Sequence, residues 1–213
     1  TRAGRNTNAA RNGRRRGRKM KKALVALLLL LPAQVFAGEI FSGTIGVSSD
    51  YVWRGYSQNS GNVAVSGGVG ATLGIFTMGA WASQVDFDDD ANVEYDLFAG
   101  VSYNFSDKIA AKAGYIKYKW DKVYEDIDEA YVGMNMWDLD VTYYKDLDNS
   151  ELDFINAIYT IPFIEKVGIS LEYGKATGFD SYQALNISKQ VGNYVLGGQI
   201  GTEETVIGIS YNF

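Results

Sequence analysis

Glu94 and Asp96 stand two residues apart. Paired carboxylates flanking a bond are the acid–base apparatus of glycoside hydrolysis. A β-strand imposes the same spacing whenever it turns polar side chains to one face, so the pair is not read as catalytic. The chain holds neither His nor Cys. Without imidazole it lacks the usual general base and the commonest metal ligand. Without thiols it has no disulfide framework and no thiolate metal site. Strand alternation turns Asp50, Arg54, Glu129 and Glu172 to the same side as Glu94 and Asp96, with Lys112 and Asp140 pointing inward lower down. Charges lining a narrow passage of low dielectric focus a field and sort ions by sign. These eight residues are the candidate pore lining, and no catalytic residue is expected.

Two other clusters invite chemistry and lose it on spacing. Asp86, Asp88, Asp89 and Asp90 offer oxygen ligands suited to Ca²⁺ or Mg²⁺ and could bridge lipopolysaccharide phosphates. They lack the ordered alternate spacing of a dedicated calcium loop, and are read as a solvated acidic turn. The run Gly67-Gly68-Val69-Gly70 is followed by no Lys-Ser/Thr pair and opens no helix, so it is not a phosphate cradle. Glycines inside strands mark bends or close backbone approach. No metal and no cofactor are expected.

The elements that must position the eight charges follow a leader. Lys21 and Lys22 precede an apolar run at 23–31, and Val35-Phe36-Ala37 places cleavage before Gly38. The run is shorter than the ~20 residues of a spanning helix. Residues 1–19, basic and of low complexity, are expected to lie outside the mature protein. The expected division is therefore 1–19 upstream segment, 20–37 signal peptide and 38–213 barrel. Ten of the 20 Lys and Arg and none of the 25 Asp and Glu fall before residue 38, so the mature chain carries 10 − 25 = −15. That charge argues against nucleic acid and favours cationic or neutral partners.

From Gly38 onward, stretches of alternating polarity are broken by turn residues. The strands are expected at 39–53, 62–72, 76–87, 93–105, 109–119, 128–136, 139–146, 152–161, 167–175, 181–190, 194–201 and 205–213. Alternation is sharpest where Val93, Tyr95, Leu97, Val101, Tyr103 and Phe105 oppose Glu94, Asp96, Gly100, Ser102 and Asn104. It is also clear where Phe41, Ile45, Val47, Tyr51 and Trp53 oppose Ser42, Thr44, Ser48, Asp50 and Arg54. Val167, Ile169, Leu171 and Tyr173 oppose Gly168, Ser170 and Glu172, and Ile207, Ile209, Tyr211 and Phe213 oppose Gly208, Ser210 and Asn212. The phase of the third, fifth, eighth and tenth strands stays open. Tight turns at Leu73-Gly74, Ser106-Asp107-Lys108, Trp137-Asp138 and Val191-Gly192-Asn193 alternate with longer polar connections at 55–61, 88–92, 120–127, 147–151 and 176–180.

The pattern predicts an all-β, antiparallel up-and-down transmembrane β-barrel of about twelve strands, with short periplasmic turns, longer outer loops and no large plug. Tyr51, Trp53, Tyr103, Phe105 and Trp120 fall near strand ends, where aromatic girdles belong. The terminal Phe213 is the expected handle for the barrel-assembly machinery.

Three blocks, Ser49-Asp-Tyr-Val-Trp-Arg-Gly-Tyr-Ser-Gln58, Trp81-Ala-Ser-Gln-Val-Asp-Phe87 and Glu94-Tyr-Asp-Leu-Phe-Ala-Gly100, resemble the recurring blocks of the TorF-type porins. Glu129-Ala-Tyr-Val-Gly133 extends the likeness. Trp53, Gln84 and Phe98 stand where that family carries Phe, Asn and Tyr. The resemblance implies a Gram-negative outer-membrane barrel of porin type and no catalytic residues.

Two readings of the charged lumen follow. In one it is an open, cation-leaning passage for passive diffusion of small hydrophilic solutes or ions. In the other the charges pair, Arg54 with Asp50 or Asp96, and fill a closed lumen in a structural or adhesive barrel. The partners expected are outer-membrane lipid, lipopolysaccharide and small hydrophilic solutes, with no nucleic acid.

Overall fold

The structure, a computed structural model, describes residues 40–88, 90–122, 125–148, 153–162 and 167–213. The expected leader and the basic segment before it lie outside the described residues.

The strands are β1 (Phe41–Ser48), β2 (Val52–Trp53), β3 (Tyr56–Ser57), β4 (Ala64–Leu73), β5 (Phe76–Gln84), β6 (Val93–Ser106) and β7 (Ile109–Trp120). They continue with β8 (Ile127–Met136), β9 (Leu139–Asp146), β10 (Phe154–Thr160), β11 (Gly168–Ala176), β12 (Tyr182–Val191), β13 (Tyr194–Gly201) and β14 (Thr205–Asn212). Twelve of them, all but β2 and β3, form a closed antiparallel barrel in chain order, with β1 completing the ring between β14 and β4. Closure leaves no backbone edge unpaired, which is the condition for a sheet to cross lipid.

Polarity is inverted relative to a soluble sandwich. Val69, Leu97, Val132, Leu171 and Ile207 face outward and are exposed, whereas Glu94, Asp96, Glu129 and Glu172 face inward and are buried. Alternation holds as expected on β6, β11 and β14. Inward glycines let rings lie flat against the wall. A Cβ on Gly100 or Gly114 would meet the Tyr131 hydroxyl at 2.5 or 2.4 Å. One on Gly174 would meet the Tyr182 ring at 2.2 Å.

The first strand departs from expectation. It stops at Ser48 instead of continuing to Trp53, and the chain turns off the wall into the barrel. Tyr51 and Trp53, expected among the lipid-facing aromatics, are buried inside. Trp120 also turns inward, its indole N–H donating to Glu94 at 2.9 Å. Tyr103 and Phe105 do face outward, their rings 5.1 Å apart near the tight-turn end of β6.

Candidate functional site

The segment after β1 builds the outer mouth. Asp50 folds it: its carboxylate accepts the Tyr51 backbone N–H at 2.7 Å and the Ser57 hydroxyl at 3.0 Å. Burial pushes the Asp50 carboxyl above the ordinary aspartate range, against the pull of those hydrogen bonds. β2 and β3 pair as a small hairpin whose two turn residues, Arg54 and Gly55, have φ of 46° and 89°. Two positive φ values make the tight turn that matches strand twist. Glycine takes this conformation freely; arginine does not, and a side chain held there is a pointer to function. The Gln58 backbone N–H closes the hairpin onto the Tyr51 carbonyl at 2.6 Å. The Ser60 hydroxyl and the Gln58 carbonyl then tie it to the backbone of Asp86 at 2.8 and 2.9 Å.

This hairpin crosses the lumen. In the ring order β9 lies opposite β1, flanked by β8 and β10. Arg54 reaches that far wall: its guanidinium donates to both oxygens of Glu129 on β8, at 3.0 and 2.8 Å. It also stacks on Tyr144 of β9 at 4.9 Å and Phe154 of β10 at 4.0 Å, with Trp53 of its own hairpin at 4.4 Å. A planar guanidinium suits bidentate carboxylate binding and ring stacking at once. The expected partners of Arg54, Asp50 or Asp96, are thus replaced by Glu129.

Beside this clasp, β6 contributes two more buried carboxylates. Glu94 accepts the Tyr51 hydroxyl and the Trp120 indole N–H, both at 2.9 Å. Burial, with the Glu94 and Asp96 charges, holds the Tyr51 phenol well above its ordinary pKa, so it remains a donor. Asp96 is 0% exposed, and neither of its oxygens has a hydrogen-bond partner among the described residues. Its register neighbours are Trp81 on β5 and Tyr118 on β7. Tyr118 donates to Glu129 at 2.9 Å.

Glu172 centres a further network, joined to the clasp where the Tyr182 ring stacks on Phe154 at 6.3 Å. It accepts from the Tyr182 hydroxyl at 2.5 Å, Asn156 at 2.8 Å and Asn186 at 3.1 Å, and Gln199 donates to Asn186 at 3.1 Å. Nearer the tight-turn end of the barrel, Lys112 pairs with Asp140 at 2.7 Å, and both side chains remain part-exposed, 24% and 20%. Ser102 and Asn104, inward residues of β6 at this level, are exposed.

All eight candidate residues therefore lie inside the barrel in three groups, and Asp50 sits within the hairpin rather than on the wall. Sequence reading missed Tyr51, Trp53, Trp81, Tyr118, Trp120, Tyr144, Phe154 and Tyr182. Parity held part of the signal: Lys112 pointing inward implies Tyr118 inward, and Asp140 implies Tyr144.

The family model described as a bacterial protein of unknown function, Gcw_chp, matches residues 33–160. That is more than half of the chain, which belongs to this family. No curated protein matches it. The barrel is similar to a KdgM porin in complex with disordered oligogalacturonate, with a TM-score of 0.60 at 12% identity over 82% of this chain and 99% of that one. It is likewise similar to a second KdgM porin structure, with a TM-score of 0.58 at 13% identity over 81% and 99%. At such identities the likeness carries the fold.

Proposed function

We propose that this Gcw_chp barrel is an outer-membrane, porin-like channel for passive diffusion of small hydrophilic solutes or ions, not an enzyme. The observation that carries the reading is the division of its lumen: a water-accessible periplasmic half beneath a mouth crossed by one hairpin. The resemblance of the Ser49–Gln58, Trp81–Phe87 and Glu94–Gly100 blocks to TorF-type porins agrees with it.

The filter is read as cation-leaning. Among the described residues the buried carboxylates Asp50, Glu94, Asp96, Glu129, Asp146 and Glu172 face one buried cation, Arg54, and Lys112 pairs with Asp140 below. Such a mouth repels a polyanion, so oligogalacturonate, the ligand of one KdgM structure, is not carried over to this chain. Outer-membrane lipid and lipopolysaccharide would surround the apolar wall, and assembly would engage Phe213.

The rival, a structural or adhesive barrel, has one observation in its favour: Arg54 and its carboxylate are paired and sealed. Zero-current potential across a planar bilayer under a KCl gradient separates them. The channel reading expects discrete steps and a cation-selective potential that Glu94→Gln and Asp96→Asn each reduce. Absence of steps from a folded barrel would favour the rival.

A further inference from the structure

Three of the buried carboxylates, Glu94, Asp96 and Glu129, lie beside the hairpin and its rings, and of these three only Glu129 has an ion-pair partner among the described residues. Glu129 takes Arg54. Glu94 takes two neutral donors, from Tyr51 and Trp120. Asp96 takes none, although it is wholly buried. A buried carboxylate without donors is among the costliest arrangements a protein keeps, and one that persists is a functional candidate.

The surroundings say what would satisfy it. Trp81 and Tyr118 flank Asp96 on the neighbouring strands. The hairpin adds two more rings: Tyr51 packs on Trp81 at 5.3 Å between centroids, and Trp53 on Tyr118 at 5.9 Å. Carboxylate plus aromatic faces is how a desolvated organic cation is recognised. The same layer already holds one such cation, Arg54, on Glu129 and three rings. A metal ion is a poorer fit, since the described residues offer no group of three or more acidic ligands that could hold one. Neither carboxylate oxygen of Asp96 has a donor, so the cation should bring N–H groups of its own.

We propose that Asp96, with Glu94 two residues away and the rings of Tyr51, Trp81 and Tyr118 around it, binds an N–H-bearing organic cation, a primary ammonium or guanidinium carried by a small solute. The inference rests on the channel reading and names its solute class. Asp96 is covered in the closed mouth, so the ligand seats as the hairpin carrying Tyr51 lifts.

The test uses protein expressed from its full sequence and purified folded in detergent, titrated with methylguanidinium or ethylammonium chloride and read by tryptophan fluorescence and calorimetry. Saturable binding is expected, weakened about tenfold or more by Asp96→Asn, the order expected for losing a hydrogen bond to a charged group. Glu94→Gln should weaken it less and supplies the test if Asp96→Asn does not fold; Asp138→Asn in a periplasmic turn should leave it unchanged. The inference is overturned if wild type shows no saturable binding, if both carboxylate variants bind like wild type, or if tetramethylammonium or potassium binds as well. No current is needed for this readout. A barrel that binds without conducting keeps the site and loses the channel reading; one that conducts without binding does the reverse.

Discussion

The two ends of one lumen are built from the same strands and the same alternation, yet they differ in kind. Along the inward face of β6, Glu94 and Asp96 are buried while Ser102 and Asn104, on the same face, are exposed. What differs is what fills the space: at the long-loop end a hairpin and a shell of aromatic rings, at the tight-turn end small residues and the part-exposed Lys112–Asp140 pair. A barrel of twelve strands lies between sizes that side chains fill and sizes that leave a channel, and this chain uses both outcomes at different heights.

The largest effect should come from Arg54→Ala. Removing one partner of a buried pair costs about 3–5 kcal/mol because the other charge is left uncompensated. Here the cost falls on the hairpin, since the wall strands keep their ladder. Trp53 should become accessible to acrylamide quenching while the barrel remains folded by circular dichroism. If quenching is unchanged, the clasp does not hold the mouth.

Gly174→Ala should come next. A Cβ there would meet the Tyr182 ring at 2.2 Å, pushing its hydroxyl off Glu172. Overpacking of this kind costs about 1–3 kcal/mol, measurable as earlier thermal unfolding in detergent, and the same Cβ would press on Phe154, on which Arg54 stacks. In the lower half, Lys112→Ala breaks a pair that water already screens. The expected change in stability is below about 1 kcal/mol, with a small shift of the zero-current potential toward cations. A loss as large as that of Arg54→Ala would erase the distinction between the halves.

The smallest effect lies outside the barrel. Asp121 accepts the backbone N–H of Asn92 at 2.8 Å and of Val93 at 3.2 Å, and these bonds, the first above all, hold its carboxyl below the ordinary aspartate range. A depressed pKa adds stability at pH above the unfolded value near ~3.9 that is lost as pH falls through the folded one. Amide exchange at Asn92 and Val93 should therefore quicken below about pH 4 and become pH-insensitive, beyond the intrinsic rate, in Asp121→Asn.

The wall was legible because lipid and lumen impose a strict period of two, which Leu97 against Asp96 and Ile207 against Gly208 display. The mouth was not, and Tyr51 and Trp53 show why. They continue the parity of Phe41, Ile45 and Val47, so periodicity reads them as lipid-facing strand. What ends β1 is local: an Asp50 side chain that bonds the next backbone N–H, and a Trp-Arg-Gly-Tyr turn with two left-handed residues. The pairing of Arg54 with Glu129, 75 positions on, is tertiary and leaves no trace in spacing.

The most direct measurement is single-channel conductance of the folded protein and its Arg54→Ala variant, side by side in the same bilayer. A hairpin clasped across an otherwise open lumen predicts small discrete steps for the wild type and severalfold larger steps for the variant. Equal steps in both would show that the hairpin does not set the passage. Silence in both, with the barrel folded, would contradict the channel itself.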